Sequence, residues 1–194
     1  MNESDTEIIS SILSSKGYSL AEKAEDADIV FANTCAIREN AETKIWNKIN
    51  SYYKNLKKQN PQMVIGILGC MAEWLKEQIV SKETAIDIVA GPDSYRDLPN
   101  LIQIAQSNFR EEEKSQAINV QLSQDETYAD IKPVRRDPNR VAGWVSIMRG
   151  CNNMCSFCIV PFTRGWERSR PLKSIEEEVI MLWEEGFKEI TLLG

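Results

Sequence analysis

Five cysteines, at positions 35, 70, 151, 155 and 158, are the residues of this sequence best suited to chemistry. Cys151, Cys155 and Cys158 stand in the run GCNNMCSFC, a C-x3-C-x2-C spacing. Three thiolates on so short a loop can hold three irons of a cubane cluster while the fourth iron stays open to an exogenous ligand. A closed structural zinc site needs a fourth ligand, and a chain without histidine offers no imidazole to complete one. Disulfides are disfavoured, because three cysteines within eight residues leave an odd thiol. Three incidental buried cysteines form the competing reading, against which their clustering in a cysteine-poor chain weighs. The absence of histidine also excludes histidine bases and Ser-His-Asp chemistry, so metal chemistry must use thiolates or carboxylates.

Cys35 and Cys70 carry a weaker signal. Each lies just past an apolar run that reads as a parallel strand, residues 29–32 and 63–68, and open α/β sheets place their ligand crevices at the carboxyl ends of their strands. Two cysteines so placed can meet in space. Two buried apolar cysteines that never meet a ligand are the alternative.

The elements that must position these thiols follow from periodicity. Ser4 and Glu7 form a capping-box pattern ahead of Ile8, Ile9, Ile12 and Leu13, with Gly17 placed to end the helix. A long amphipathic helix carries Ile37, Ala41, Ile45, Ile49, one of Tyr52 and Tyr53, and Leu56, and Asn60-Pro61 stops it. Helices are expected at 71–80 and 98–106, and a strand at 86–90. Alternating strands and helices imply a parallel sheet covered on both faces. Residues 108–139 are polar and charged and read as an interdomain connection, with one edge strand around 128–131. A second α/β unit follows: a strand at 141–148, a helix capped by Ser174 with Glu177 in its first turn and ended by Gly186, and a strand at 190–193. The expected division is 1–108, an open parallel-sheet, Rossmann-like α/β domain; 109–140, a linker; and 141–194, the first strands and helix of an incomplete α/β barrel.

Composition and charge bound the function. An apolar fraction of 42% with 27% charged residues describes a globular chain. No apolar run is long enough for a membrane span, and the start lacks a signal-peptide profile, so a cytoplasmic address is expected and no membrane partner. Of the net charge of −6, residues 1–130 carry −8 and residues 131–194 carry +2. The basic excess is concentrated at Lys132, Arg135, Arg136, Arg140, Arg149, Arg164, Arg168 and Arg170, opposed only by Asp137 and Glu167. Such a stretch can meet a phosphate or a carboxylate, or simply be solvated. Arg164, Arg168 and Arg170 either line a substrate mouth or hold the cysteine loop through carboxylates. Gly150 and Gly165 suit tight loop geometry there. Trp46, Trp74, Trp144 and Trp183 fall on core-like patterns. Met148 and Met154 lie near the loop, with no support for thioether ligation.

The C-x3-C-x-aromatic-C run after a strand resembles the radical S-adenosylmethionine enzymes. With the segments IMRGCNNMCSFCIVPFTRGWERSRP, NTCAIRENAE and GILGCMAEWLKE, the chain resembles the methylthiotransferases of that superfamily. The branch it resembles converts N6-isopentenyladenosine in tRNA to the 2-methylthio derivative; sister branches act on ribosomal protein S12 or threonylcarbamoyladenosine. The resemblance implies two 4Fe-4S clusters and S-adenosyl-L-methionine as cofactors. Cys151, Cys155 and Cys158 would hold the cluster whose open iron binds the amino and carboxylate groups of the cofactor, and Phe157 would pack near its adenine. Cys35 and Cys70 would match the second and third ligands of another four-iron cluster, which delivers sulfur. Implied partners are tRNA carrying N6-isopentenyladenosine and a reductant such as flavodoxin or ferredoxin. An organellar address is implied if the source is eukaryotic.

One departure accompanies the match. The first ligand of the family's second cluster lies in a Gly-Cys-Gln-Met-Asn segment whose final Met-Asn matches Met1 and Asn2. The chain is therefore expected to be a fragment of a longer enzyme, with its second cluster one ligand short, weak cofactor cleavage and no methylthiolation of its own. A short non-catalytic binding or regulatory product is the other reading kept open.

Overall fold

The structure, a computed structural model, describes residues 1–35, 39–81, 85–110 and 116–194; the side chains of residues 39–42, 80, 81 and 110 lie outside that description. Ile37, Ala41 and part of the NTCAIRENAE segment thus fall outside the described side chains.

The first unit is a four-stranded parallel sheet in the order β1-β2-β3-β4, from Ile29–Thr34, Val64–Gly69, Ile88–Ala90 and Ala117–Asn119. The run VIGILG makes β2 the central strand, buried along its whole length as an apolar strand covered on both faces must be. Its side chains alternate: Val64 and Leu68 enter one core, Ile65 and Ile67 the other. The first core is closed by α1 (Asn2–Ser14) and α5 (Leu98–Ser107), which supply Ile8, Ile9, Ile12, Leu98, Leu101 and Ile102. The second is closed by a helical run, α2 (Glu39–Lys48), a π-helical turn (Ile49–Tyr53) and α3 (Lys54–Gln59), together with α4 (Cys70–Ser81). Tyr53 is the tyrosine that faces this core, and Tyr52 is exposed.

The second unit is a β-α-β crossover. Strands β5 (Ala142–Ser146) and β8 (Glu189–Leu193) pair in parallel, joined through α7 (Leu172–Glu184), with Val145, Leu182 and Phe187 at its core. Between them lie β6 (Met148–Arg149), α6 (Val160–Arg164) and β7 (Arg168–Ser169); β6 and β7 pair antiparallel and close the cysteine loop at its base. Gly186 ends α7 as expected, with Phe187 N–H bonded back to Leu182 O.

Several expectations are corrected. No strand occupies 128–131. Tyr128 is buried instead, its ring stacked on Tyr95 at 5.7 Å and its hydroxyl bonded to Pro92 O and the Tyr95 N–H, so the apolar signal there reflects a plug and not a ladder. The edge strand lies earlier, at β4, where three residues between polar runs pair with β3. The connection after Tyr128 runs along α1, with Ser11 Oγ bonded to Lys132 O and Val134 N–H to Glu7 O. Neither capping box forms: Met1 and Pro171 precede the two helices without a side-chain cap. Ser4 is buried, Glu7 accepts from Arg135 and Arg136, and Ser174 donates its hydroxyl to Pro171 O. Trp46 packs half-buried against the second core, but Trp74 and Trp183 lie exposed on the outward faces of α4 and α7.

Candidate functional site

Cys35 and Cys70 leave the sheet side by side. The β1–β2 register pairs Thr34 with Gly69, so each cysteine is the next residue on adjacent parallel strands about 4.8 Å apart. Thr34 Oγ1 donates to Leu68 O at 2.7 Å and fixes this edge. Gly69 sits at φ +89°, and a Cβ there would lie 2.6 Å from Thr34 O. Only glycine makes this turn without strain, and the turn delivers Cys70 to the first position of α4. Cys70 is buried and Cys35 half-buried.

The second cysteine group lies on the loop between β6 and α6. Gly150, at φ +74°, passes so close to Trp166 O that a Cβ would collide with it. Cys151 N–H bonds to Gly165 O at 3.1 Å and Glu167 N–H to Asn152 Oδ1 at 2.9 Å, pinning the two loop ends together. Cys158 N–H bonds to Cys155 O, and the Asn153 N–H points at Cys151 Sγ at 3.5 Å. Cys155 is exposed, Cys151 and Cys158 half-buried, and Phe157 is 90% exposed. All five cysteines are free thiols. Among the described residues no three cysteines or carboxylates are already drawn together at metal-holding spacing. Met154 is exposed on the same loop.

Buried arginines join this loop to the sheet. Arg149 donates to Asp5 Oδ1 at 2.8 Å and to Pro92 O, and its guanidinium lies over the Tyr128 ring. Arg164 donates to Asp5 Oδ2 at 2.6 Å and to Cys70 Sγ at 3.1 Å. Arg168 binds Asp93 at 2.7 Å, Ser123 O and Arg164 O; Arg170 binds Glu178 at 2.6 Å and Ser146 O. Of the two roles open to Arg164, Arg168 and Arg170, the structure favours holding the loop through carboxylates, because all three are buried and committed to acidic partners. Burial works to raise the Asp5 carboxyl, but Arg149 and then Arg164 hold it below its ordinary value. Glu73, one turn beyond Cys70, is different: burial lifts it to about 7, Lys76 opposing and Asp93 adding, and its Oε2 is buried against Gly91 without a hydrogen-bond partner.

Residues 1–91 match the family described as "Uncharacterized protein family UPF0004", and residues 145–194 match the "Radical SAM superfamily". The whole chain aligns at 55% identity with the tRNA-2-methylthio-N(6)-dimethylallyladenosine synthase of Chloroherpeton thalassium, covering 41% of that protein. It aligns at 50% with the synthase of the same name from Amoebophilus asiaticus, covering 38%. Against the mitochondrial tRNA methylthiotransferase CDK5RAP1 of Rattus norvegicus it is 53% identical over 198 residues, covering 33% of that relative. Along its whole length the chain is thus similar to tRNA methylthiotransferases, and residues 145–194 match the radical S-adenosylmethionine superfamily. It spans about two fifths or less of the length of these relatives.

The radical S-adenosylmethionine match and the methylthiotransferase relatives imply S-adenosylmethionine and iron–sulfur clusters as cofactors in general terms. The donor set fits such clusters: free thiols on a pinned loop, with an amide N–H aimed at Cys151 and a guanidinium N–H at Cys70. The sequence reading missed Asp5, Asp93, Tyr95 and Glu73. Asp5 had a signal, since it continues the row of Ile8, Ile9 and Ile12 on the buried face of α1.

Proposed function

We propose that the protein containing this chain is a tRNA methylthiotransferase that converts N6-isopentenyladenosine to its 2-methylthio derivative. The observation that carries this reading is the junction of two cysteine groups. The helix that begins with Cys70 packs against α6, which follows the Cys151–Cys155–Cys158 loop. In this reading Cys151, Cys155 and Cys158 hold one four-iron cluster, and Cys35 and Cys70 contribute to a second. When bound, the first cluster supplies the electron that cleaves S-adenosylmethionine to a radical, and the second the sulfur that is transferred.

The chain's own residues have positioning work. Gly150 and the Cys151 N–H···Gly165 O bond fix the mouth of the loop. Phe157, exposed on the same loop, offers an aromatic face to the adenine of the cofactor. Asp5 and Asp93 receive the arginines of the second unit and set the loop against the crevice. The division at 109–140 belongs to the same proposal, with this connection giving β4 to the first sheet and Tyr128 to its core, as do a flavodoxin- or ferredoxin-like reductant and a cytoplasmic or organellar setting. No helix among the described residues is long and apolar enough to cross a membrane.

The test is expression of the gene carrying this sequence in a strain that lacks 2-methylthioadenosines, followed by mass spectrometry of digested tRNA. Appearance of 2-methylthio-N6-isopentenyladenosine is expected. Its absence with soluble, iron-loaded protein present would reject the substrate, and appearance of 2-methylthio-threonylcarbamoyladenosine would assign the sister branch.

A further inference from the structure

Arg164, on the helix that follows the cysteine loop, reaches across to Cys70 of the other cysteine group. It lies on α6, six residues after Cys158, and is 4% exposed. Its Nε–H donates to Cys70 Sγ at 3.1 Å, while Nη2–H donates to Asp5 Oδ2 at 2.6 Å. Its remaining nitrogen, Nη1, is buried with no partner, and its carbonyl oxygen accepts from Arg168. The two made contacts come from the same rigid planar fork. Any displacement of α6 that keeps the Asp5 pair therefore also sets the direction of the bond to sulfur.

We propose that Arg164 is a positioning residue: anchored by Asp5, it fixes the Cys70 sulfur and keeps it in register with the Cys151–Cys155–Cys158 loop. The geometry favours this over a purely structural ion pair. Asp5 already has Arg149 as a partner, with 1% exposure and a bond of 2.8 Å, so charge compensation alone does not require a second arginine. The buried group also holds three guanidiniums, Arg149, Arg164 and Arg168, against two carboxylates, Asp5 and Asp93. Of these three arginines, Arg164 is the one whose guanidinium also donates to a sulfur. Lysine at 164 could keep the Asp5 pair as a point charge but could not hold both partners in one plane. That Cys70 binds iron rests on the proposed function; the Arg164–Cys70 contact does not.

The experiment is a double-variant cycle in the iron-free 194-residue chain, read by urea unfolding. Arg164→Met, Cys70→Ala and the double variant are compared, and the cycle is repeated with Arg164→Lys. A direct contact predicts that the unfolding constants depart from multiplicativity by about five- to tenfold in the methionine cycle. Arg164→Lys should recover most of the stability that Arg164→Met loses, through Asp5, yet still lack the full coupling to Cys70. Multiplicative behaviour, or full restoration of the coupling by lysine, would overturn the proposal. Should Arg164→Met not fold, the lysine variant decides the question by comparing Cys70→Ala in the parent and lysine backgrounds. A second arm uses protein reconstituted with iron and sulfide in a Cys151→Ala/Cys155→Ala/Cys158→Ala background. There Arg164→Lys should lower the midpoint potential and speed iron loss to a chelator about tenfold. Unchanged potential and release would overturn the role at the cluster. Coupling without any iron held by Cys35 and Cys70 would instead remove the second cluster from the proposed function and leave the contact standing.

Discussion

Replacing Asp5 by asparagine removes one charge and almost no volume, which isolates the electrostatic part of the contact between the two units. Asp5 is 1% exposed and accepts from Arg149 at 2.8 Å, Arg164 at 2.6 Å and the Tyr95 hydroxyl at 3.5 Å. An asparagine amide must turn its NH2 toward one guanidinium, so one of two charge-assisted bonds becomes donor against donor. Arg149 keeps Pro92 O and a distant Asp93 at 3.6 Å, and Arg164 keeps only a sulfur. Breaking a buried charge pair by removing one partner costs about 3–5 kcal/mol, a large part of the 5–15 kcal/mol typical of whole domains. With a urea slope of about 2 kcal/mol per molar, the unfolding midpoint at pH 7 should fall by roughly 1.5–2.5 M. The sign with pH is also fixed. Asp5 is held below 3.8, so its contribution is present above that value and disappears as pH falls through the lower folded value. Parent and variant should therefore converge in acid. Replacing the whole group, Asp5→Leu with Arg149→Met and Arg164→Met, should cost less than the single change, because no buried charge is orphaned. A loss under about 1 kcal/mol for Asp5→Asn at pH 7 would refute the claim that this carboxylate joins the units.

The other expectations are shorter. Glu73, raised from 4.5 to about 7 by burial, takes up a proton on folding, so its stabilising contribution is present below 4.5 and lost as pH rises to about 7. Glu73→Gln should flatten that decline and gain about 1–3 kcal/mol at pH 8 in a urea titration; a parallel pH profile would contradict it. Gly69→Ala should cost about 1–3 kcal/mol in thermal unfolding, since its φ is +89° and Thr34 O crowds the added carbon, and a neutral outcome would mean the turn can relax. Alanine at any one of Cys151, Cys155 or Cys158 should abolish the brown chromophore of that site after anaerobic reconstitution, and a full cluster in the triple variant would remove these ligands from the proposal. Arg96→Met, which breaks the exposed pairs with Glu126 and Asp130, should change stability by less than about 1 kcal/mol, measured by the same urea titration.

What the sequence discloses here depends on how local the cause is. The continuous apolar run of β2 and the three-and-four spacing through Ile45, Ile49 and Leu56 announce their elements, because each pattern is the physical reason for the burial. The neighbourhood of Cys35 and Cys70 was also legible, since parallel strands end at one edge of the sheet. Ala117–Asn119 was not, because a three-residue strand has too little alternation to stand out from a polar stretch. The capping boxes misled for a related reason. A Ser-x-x-Glu pattern describes what a helix end can do alone, whereas Glu7 found two arginines more than 120 residues away. Arg164, Arg168 and Arg170 were visible as charges, but their partners, Asp5, Asp93 and Glu178, are chosen by the tertiary fold and leave no spacing to read.

The order in which the chain is made adds a consequence to the Asp5 contacts. Asp5 is separated from Arg149 by 144 residues and from Arg164 by 159. At synthesis rates of about 5–20 residues per second, Asp5 is made roughly 7–30 s before Arg149. Local β-α-β pairing of the first sheet needs none of the later residues and runs far faster than that. The carboxylate, and the Cys70 thiol beside it, therefore spend their first seconds at the end of a formed sheet with no guanidinium to meet. Closing that gap is a late docking event that joins two folded pieces, and a nascent chain stalled before residue 149 would display an acidic, thiol-bearing crevice to whatever reaches it first.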